Sequence, residues 1–156
     1  MGNTRQMSPS ELVQASRLIP ASASKIFELL AHPAQHVVID GSGTVKDVQQ
    51  RTPERLFAGA RFGMQMRWGL PYKILNEVVE FESDRRIAWR HFGGHVWRYI
   101  LEPVDAERTW VTEQFDPTHS RAPLVLRLMR ASRRNQASID ATLLRLEQWA
   151  AGRAPA

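Results

Sequence analysis

Residues 86–104 read RIAWRHFGGHVWRYILEPV, and the register adopted across Gly93-Gly94 decides which side chains this protein buries. A two-residue loop would pair Phe92 with His95 and split the large rings between the two faces of a sheet. A three-residue loop, Phe92-Gly93-Gly94, sets His91 opposite His95 and Trp89 opposite Trp97 instead. Ile87, Trp89, His91, His95, Trp97, Tyr99 and Leu101 then share one face, while Arg90, Arg98 and Glu102 fall on the other. Register follows the pairing that buries the apolar set, because a one-residue slip turns every side chain over. Such a loop also needs a positive φ at its third position, which Gly94 adopts at little steric cost. The sequence therefore predicts a hairpin whose buried face carries two Trp, one Tyr and two His.

On both sides of this hairpin, short alternating runs are separated by turn residues, as in an antiparallel meander. Upstream the strands are expected at 44–50, at 61–68 ended by Gly69-Leu70-Pro71, and at 72–82 ended by Ser83-Asp84. The facing of 72–82 is ambiguous, since apolar residues occur there on both parities. Downstream one more strand is expected at 109–115. A first strand at 11–19 is closed by Pro20. Ser22 or Ser24 then caps a short helix through Leu30, with Ile26, Phe27, Leu29 and Leu30 as its apolar face. His32-Pro33 breaks that helix, because the residue before proline is pushed out of the helical region. A second short helix is expected from Pro33 to about Val38, and Asp40-Gly41-Ser42-Gly43 is a turn into the next strand.

The last 30 or so residues read as one long helix from Ser120 to about Ala150, with Ser120 as N-cap, Pro123 in the first turn and Gly152 as the stop. An antiparallel sheet must bury one face, and only this helix is long enough to cover it. A strongly curved sheet cannot touch a straight helix everywhere, so the expected α+β fold encloses a cavity. The helix supports this. Its apolar stripe of Val125, Leu128, Met129, Ile139, Leu143 and Leu146 is interrupted by Ser132, Asn135 and Gln136, which suits a solvated or ligand-filled space better than a dry core. The alternative is an aromatic core with its polar atoms satisfied by neighbours. The expected organisation is a flexible N-terminus at 1–10, one domain at 11–152 and a flexible tail at 153–156.

Four stretches carry a family resemblance: IPASASKIFELLAHPAQHVVIDGSGTV (19–45), GARFGMQMRWGLPY (59–72), VVEFESDRRIAWRHFGGHVWRYILEPV (78–104) and RTWVTEQFD (108–116). With the helix that follows, the chain resembles the SRPBCC, or polyketide cyclase/dehydrase, family of the START/Bet v 1-like superfamily. The resemblance implies a helix-grip fold: a curved antiparallel sheet of about six or seven strands around a long C-terminal helix, with two short helices after the first strand. It also implies a pocket for a hydrophobic or aromatic small molecule. It implies no single reaction, because members include carriers, sensors, cyclases and dehydratases without a shared catalytic triad.

Composition narrows the partners. The 156 residues lack cysteine, which removes disulfides, thiolate chemistry and Cys-ligated metals together. No apolar run approaches the ~20 residues of a membrane span, and the polar first ten residues lack a signal core, so a cytoplasmic protein is expected. The net charge of +5 comes mostly from Arg, without a nucleic-acid-binding motif, so specific nucleic-acid binding is not expected. Basic residues concentrate on the last helix, at Arg121, Arg127, Arg130, Arg133, Arg134 and Arg145. A solvated outer face is expected there, with weak contact to an acidic partner left open.

The candidate ligand-binding residues are Trp89, Trp97 and Tyr99 on the hairpin, Met66, Trp68 and Tyr72 on neighbouring strands, and Asn135, Gln136 and Ile139 on the helix. His36 and Asp40 are placed at the cavity mouth. Acid–base chemistry would use His91, His95 and Glu113, since histidine titrates near neutrality and a desolvated carboxyl is raised toward it. Tyr99 would hydrogen-bond an enolate oxygen. Neither histidine pair, 91/95 or 32/36, has an evident third ligand, so no metal or other cofactor is expected. Binding of a hydrophobic or aromatic molecule, for sequestration or transport, is the leading function. A cyclase-, aromatase- or dehydratase-type enzyme is the alternative.

Overall fold

The computed structural model describes residues 12–153. The expectations for 1–11 and 154–156 lie outside the described residues. Seven strands form one antiparallel sheet: β1 (Val13–Ile19), β2 (Val45–Val48), β3 (Arg61–Trp68), β4 (Leu70–Glu82), β5 (Arg86–His91), β6 (Val96–Pro103) and β7 (Thr109–Asp116). Their spatial order is β1-β7-β6-β5-β4-β3-β2, so the chain's first strand closes one edge beside its last.

The hairpin register is the three-residue one. Trp89 stands opposite Trp97 and Ile87 opposite Tyr99. The His91 N–H donates to the His95 carbonyl at 2.9 Å, and the Gly94 N–H closes the loop onto the His91 carbonyl at 2.8 Å. Gly94 has φ +97°, the left-handed geometry that glycine tolerates. On the outer face Arg98 makes a two-pronged ion pair with Glu80 and donates to Gln114.

The ambiguity of 72–82 has a structural cause. Val78 pairs with Trp89 but Glu80 with Ala88, so a β-bulge at Val79 shifts the register midway along β4. Before it Tyr72, Ile74, Asn76 and Val78 face inward; after it Phe81 does, edge-on to Phe27 at 5.2 Å. A single period of two therefore could not fit the whole strand. The strand also begins earlier than expected. Trp68 pairs directly with Leu70 around Gly69 at φ +73°, so Leu70 and Pro71 belong to β4 and not to a terminating loop.

Ser22 is the N-cap of α1 (Ala23–Ala31), accepting the Lys25 N–H. After His32 come a 3-10 turn at Pro33–Gln35 and a single helical turn, α2 (His36–Ile39). Ile26, Phe27 and Leu30 of α1 meet Ile87, Leu101 and Val111 of the sheet in one core. The last helix adds Ile139, Leu143 and Leu146, spaced i, i+4, i+7, each buried at a gain of about 2 kcal/mol over exposure.

That helix is not continuous. It divides into α3 (Pro123–Leu128) and α4 (Ala131–Ala150), with Arg130 between them at φ 50°, ψ 41°. Ser120 does not cap it; its hydroxyl accepts from Ala122 in the preceding turn. The start of the segment is tied to the β5–β6 loop by the Arg121 N–H on the Gly93 carbonyl, 2.8 Å, while α4 is held by its buried face. A straight helix cannot satisfy both anchors, so the chain bends at Arg130. In consequence Val125 and Met129 are exposed and leave the apolar stripe, whereas Ile139, Leu143 and Leu146 remain in it. Left-handed geometry costs a non-glycine residue about 1–2 kcal/mol. Arg130→Gly is therefore expected to raise stability by up to about 1 kcal/mol after the extra freedom of glycine in the unfolded chain is subtracted. A urea midpoint lower than that of the wild type would contradict this account.

Candidate functional site

Between the concave sheet and α4 lies a cavity of about 490 Å³, within the range of small-molecule sites. Its wall is mostly apolar: Phe62, Met64 and Met66 of β3, Ile74 of β4, Trp89 of β5, Trp97 of β6, Phe115 of β7 and Leu126 of α3. Lining residues that are also exposed mark the opening, and these are Ser42, Trp68, Tyr72, Met129 and Arg134. The mouth thus lies between the tip of the β3–β4 hairpin and the α3–α4 bend, with Ser42 of the Asp40–Gly43 turn also on its edge.

The inner end is polar and more deeply buried. Tyr99 and Glu113 are cross-strand neighbours on β6 and β7, and the Tyr99 hydroxyl donates to Glu113 Oε1 at 2.9 Å. Glu113 is only 3% exposed, and its second oxygen, Oε2, is buried without a hydrogen-bond partner in the protein. Burial pushes the Glu113 carboxyl up to about 8, against the lowering effect of the Tyr99 hydrogen bond; the charges of Asp40 and Asp140 add to the rise. The group is accordingly a neutral acid at pH 7. A carboxyl that accepts from Tyr99 on Oε1 and holds its proton on Oε2 is itself a donor, here without an acceptor in the protein. Burial and the neighbouring carboxyl likewise raise the Tyr99 phenol well above its ordinary value, so it stays a donor.

The histidines line another part of the same cavity wall. His91 and His95 stack at the open end of the hairpin with ring centroids 4.4 Å apart. The Gly93 N–H donates to His91 Nδ1 at 3.0 Å, so this ring braces its own loop. Burial lowers both imidazoles, and proximity to His91 lowers His95 further, to about 4. His95 is four residues from Tyr99 on β6, a separation of roughly 13 Å at strand spacing. His91 and His95 thus pair with each other and Glu113 with Tyr99, two groups on the wall of one cavity.

Trp89, Trp97, Tyr99, Met66, Trp68, Tyr72 and Asn135 all line the cavity, as do His36 and Asp40. His36, however, is not at the mouth. It is buried, stacked on Trp89 at 5.0 Å, and its Nε2–H reaches the Leu30 carbonyl at 2.8 Å, so burial holds it neutral. Asp40 is tied into its turn, accepting from Ser42 and from the Val45 N–H, which leaves little of it for gating. Gln136 faces away, toward the Gln14 carbonyl and Asp140, and Ile139 is packed in the core outside the cavity wall. On α4 the cavity face is formed by Asn135, Ser138 and Thr142, and the core face by Ile139, Leu143 and Leu146. Asn76 and Thr142 are buried polar lining residues absent from the sequence expectation. Asn76 had a signal: it is the polar member of the inward series Tyr72, Ile74, Asn76, Val78. Thr142 had none, because its role depends on a loop 101 residues away, where it accepts the Gly41 N–H. Among the described residues no group of three or more potential metal ligands converges, and no helix is long and apolar enough to cross a membrane.

A curved seven-stranded sheet gripping a C-terminal helix around an apolar cavity defines a helix-grip protein of the START/Bet v 1-like fold. The sequence resemblance to SRPBCC proteins stands at that level, since the same fold is found in a Polyketide_cyc-like protein from Corynebacterium glutamicum, 18% identical, covering 88% of this chain and 90% of that one with a TM-score of 0.59. It recurs in the di-domain ARO/CYC BexL of the BE-7585A biosynthetic pathway, 18% identical with a TM-score of 0.64, over 88% of this chain and 45% of the larger protein. No family model matches the chain. By sequence it is similar to an uncharacterized protein of Mycobacterium tuberculosis, 34% identical over 91% of this chain. The chain spans 66% of the length of that relative.

Proposed function

We propose that this protein binds a hydrophobic or aromatic small molecule that carries a hydrogen-bond acceptor, such as a carbonyl oxygen, to be received by Glu113. The observation that carries the reading is the unpartnered, buried Oε2 of Glu113 at the polar end of an otherwise apolar cavity. An unsatisfied buried polar atom costs about 1–3 kcal/mol, which a matching ligand group recovers. The rings of Trp89 and Trp97 line the same wall and offer faces for an aromatic body. The likeness in fold to a Polyketide_cyc-like protein and to an ARO/CYC protein supports a ligand of that general size and character.

The test is a shape-matched pair of probes, acetylnaphthalene and ethylnaphthalene, followed by quenching of tryptophan fluorescence. Both are expected to bind, the carbonyl compound about tenfold more tightly, equivalent to one net hydrogen bond. The preference should shrink when Glu113 is replaced by Leu. Failure of either probe to bind would remove the binding reading, and equal affinities would remove the role given to Glu113.

A second reading is favoured by one observation, the carboxyl held near neutrality beside Tyr99. A group poised there suits proton transfer at carbon next to a carbonyl. It would act with Tyr99 and without His91 or His95. In deuterium oxide such an enzyme would exchange the methyl protons of bound acetylnaphthalene, and Glu113→Gln would stop it. Exchange at the buffer rate alone leaves a binding protein.

A further inference from the structure

We propose that the rim of the cavity is a docking surface for an anionic lipid membrane, which it meets with the cavity mouth facing the bilayer. Large apolar side chains crowd this rim where water should disfavour them. Trp68 is 61% exposed and Leu70, its partner across the Gly69 turn, 80%. Across the mouth, α3 exposes Leu124 and Val125, and Met129 follows at the bend. Tyr72 completes the hairpin side. Scattered exposed apolar residues are ordinary, but a group collected around one opening is not.

The charges around this group are of one sign. Residues 117–139 contain five arginines and no acid, and residues 61–76 contain Arg61, Arg67 and Lys73, again without an acid. Arg134 extends over the Trp68 ring at 5.1 Å, which joins the helix side of the rim to the hairpin side. Arg127, Arg130 and Arg133 flank a depression at the bend that shares Leu126 and Ala131 with the cavity wall. No ion pair among the described residues engages Arg127, Arg130, Arg133 or Arg134. Tryptophan and tyrosine favour the headgroup level, leucine and valine the acyl boundary just below it, and arginine the anionic headgroups. The rim and the α3–α4 segment beside it carry all three kinds of residue. An acidic protein would satisfy the arginines but leaves the protruding Trp68, Leu70 and Leu124 without a comparable partner. Docked this way, an apolar ligand would pass between bilayer and cavity without crossing water. The surface stands on its own observations, independent of which molecule the cavity holds.

Co-sedimentation with vesicles tests it, using neutral phosphatidylcholine and phosphatidylcholine mixed with one-third phosphatidylglycerol. Binding is expected to the anionic vesicles only, and to weaken as salt is raised. Two double variants separate the contributions, Arg127→Glu/Arg133→Glu and Leu70→Ser/Leu124→Ser; each should lower the partition coefficient about tenfold or more. None of these four side chains lines the cavity, so probe quenching in the absence of vesicles should be unchanged and shows that the fold and the cavity are intact. If that quenching fails while vesicle binding persists, the ligand reading falls and the docking surface stands. No binding to anionic vesicles, equal binding to both kinds, or undiminished binding by both variants would overturn the proposal. Retention by an immobilised acidic protein with vesicles left unbound would overturn it also, and assign the rim to a protein partner.

Discussion

Replacing Glu113 with Gln is expected to abolish a loss of stability that the wild-type protein suffers as pH rises above neutrality. The sign follows from linkage. In the unfolded chain this carboxyl releases its proton near its ordinary value of 4.5, whereas in the folded protein it holds the proton to about 8. Between those limits the native state binds more protons, so stability falls as pH increases. The full span corresponds to at most on the order of 5 kcal/mol. His95 has the opposite sign: its folded value of about 4 lies below the unfolded 6.5, so its contribution is lost as pH falls through that interval. His36 and His91, also lowered by burial, act in the same direction. The histidines outweigh Glu113 on the acid side, and Glu113 alone acts above about pH 6.5, where the maximum of stability should lie. Urea unfolding from pH 5 to 9 checks this. The Glu113→Gln profile should run level on the alkaline side while the wild type declines. Parallel profiles there would mean that Glu113 is ionised in the folded protein, and its role as donor to a ligand would fall with that.

Gly41→Ala should be among the most damaging single substitutions in the molecule. A Cβ at this position would stand 2.3 Å from the Thr142 nitrogen, 2.6 Å from the Ser138 carbonyl oxygen and 2.7 Å from the Ala141 carbonyl carbon. All three are backbone atoms of α4, so no side chain can rotate away. The Asp40–Gly43 turn and α4 must separate, and the hydrogen bond from the Gly41 N–H to the Thr142 hydroxyl, 3.0 Å, is lost with them. Overpacking of this kind costs about 1–3 kcal/mol, and the lost bond adds about 1. Because Ser42, Thr44, Ser138 and Thr142 all line the cavity, its wall opens along this seam. The expected outcome is a stability loss of about 3 kcal/mol in urea together with weaker binding of acetylnaphthalene. A variant as stable as the wild type would show that the turn and α4 are not in this contact.

Much of the architecture was legible because it rests on local rules. The hairpin at Gly93-Gly94 has a single register that puts Trp89, His91, His95, Trp97 and Tyr99 on one face, and Gly94 carries the positive φ that the register demands. Ser22 before an apolar run and His32 before Pro33 bound α1 by capping and by steric exclusion. The pairing of Tyr99 with Glu113 was half visible: both were named for the same cavity, but their contact depends on the register of β6 against β7. Gln136 and Ile139 were misplaced for a different reason. Asn135, Ser138 and Thr142 turn toward the cavity while Ile139 packs in the core, and which side of α4 meets the void is fixed only by its packing against the sheet.

From its sequence alone this chain was committed to an antiparallel meander gripping a C-terminal helix, with an aromatic inner face and no cysteine chemistry. Alternation, turn residues and caps act over a few residues, and the pattern of apolar side chains leaves one workable way to bury them. Only the tertiary structure decided the bend at Arg130, the bulge at Val79, the stacking of His91 on His95 and the lone Oε2. Each of these depends on where segments distant in sequence are anchored against one another. Local patterns carry no record of such distances, and the burial that raises an acid or orphans an oxygen exists only once the segments have met.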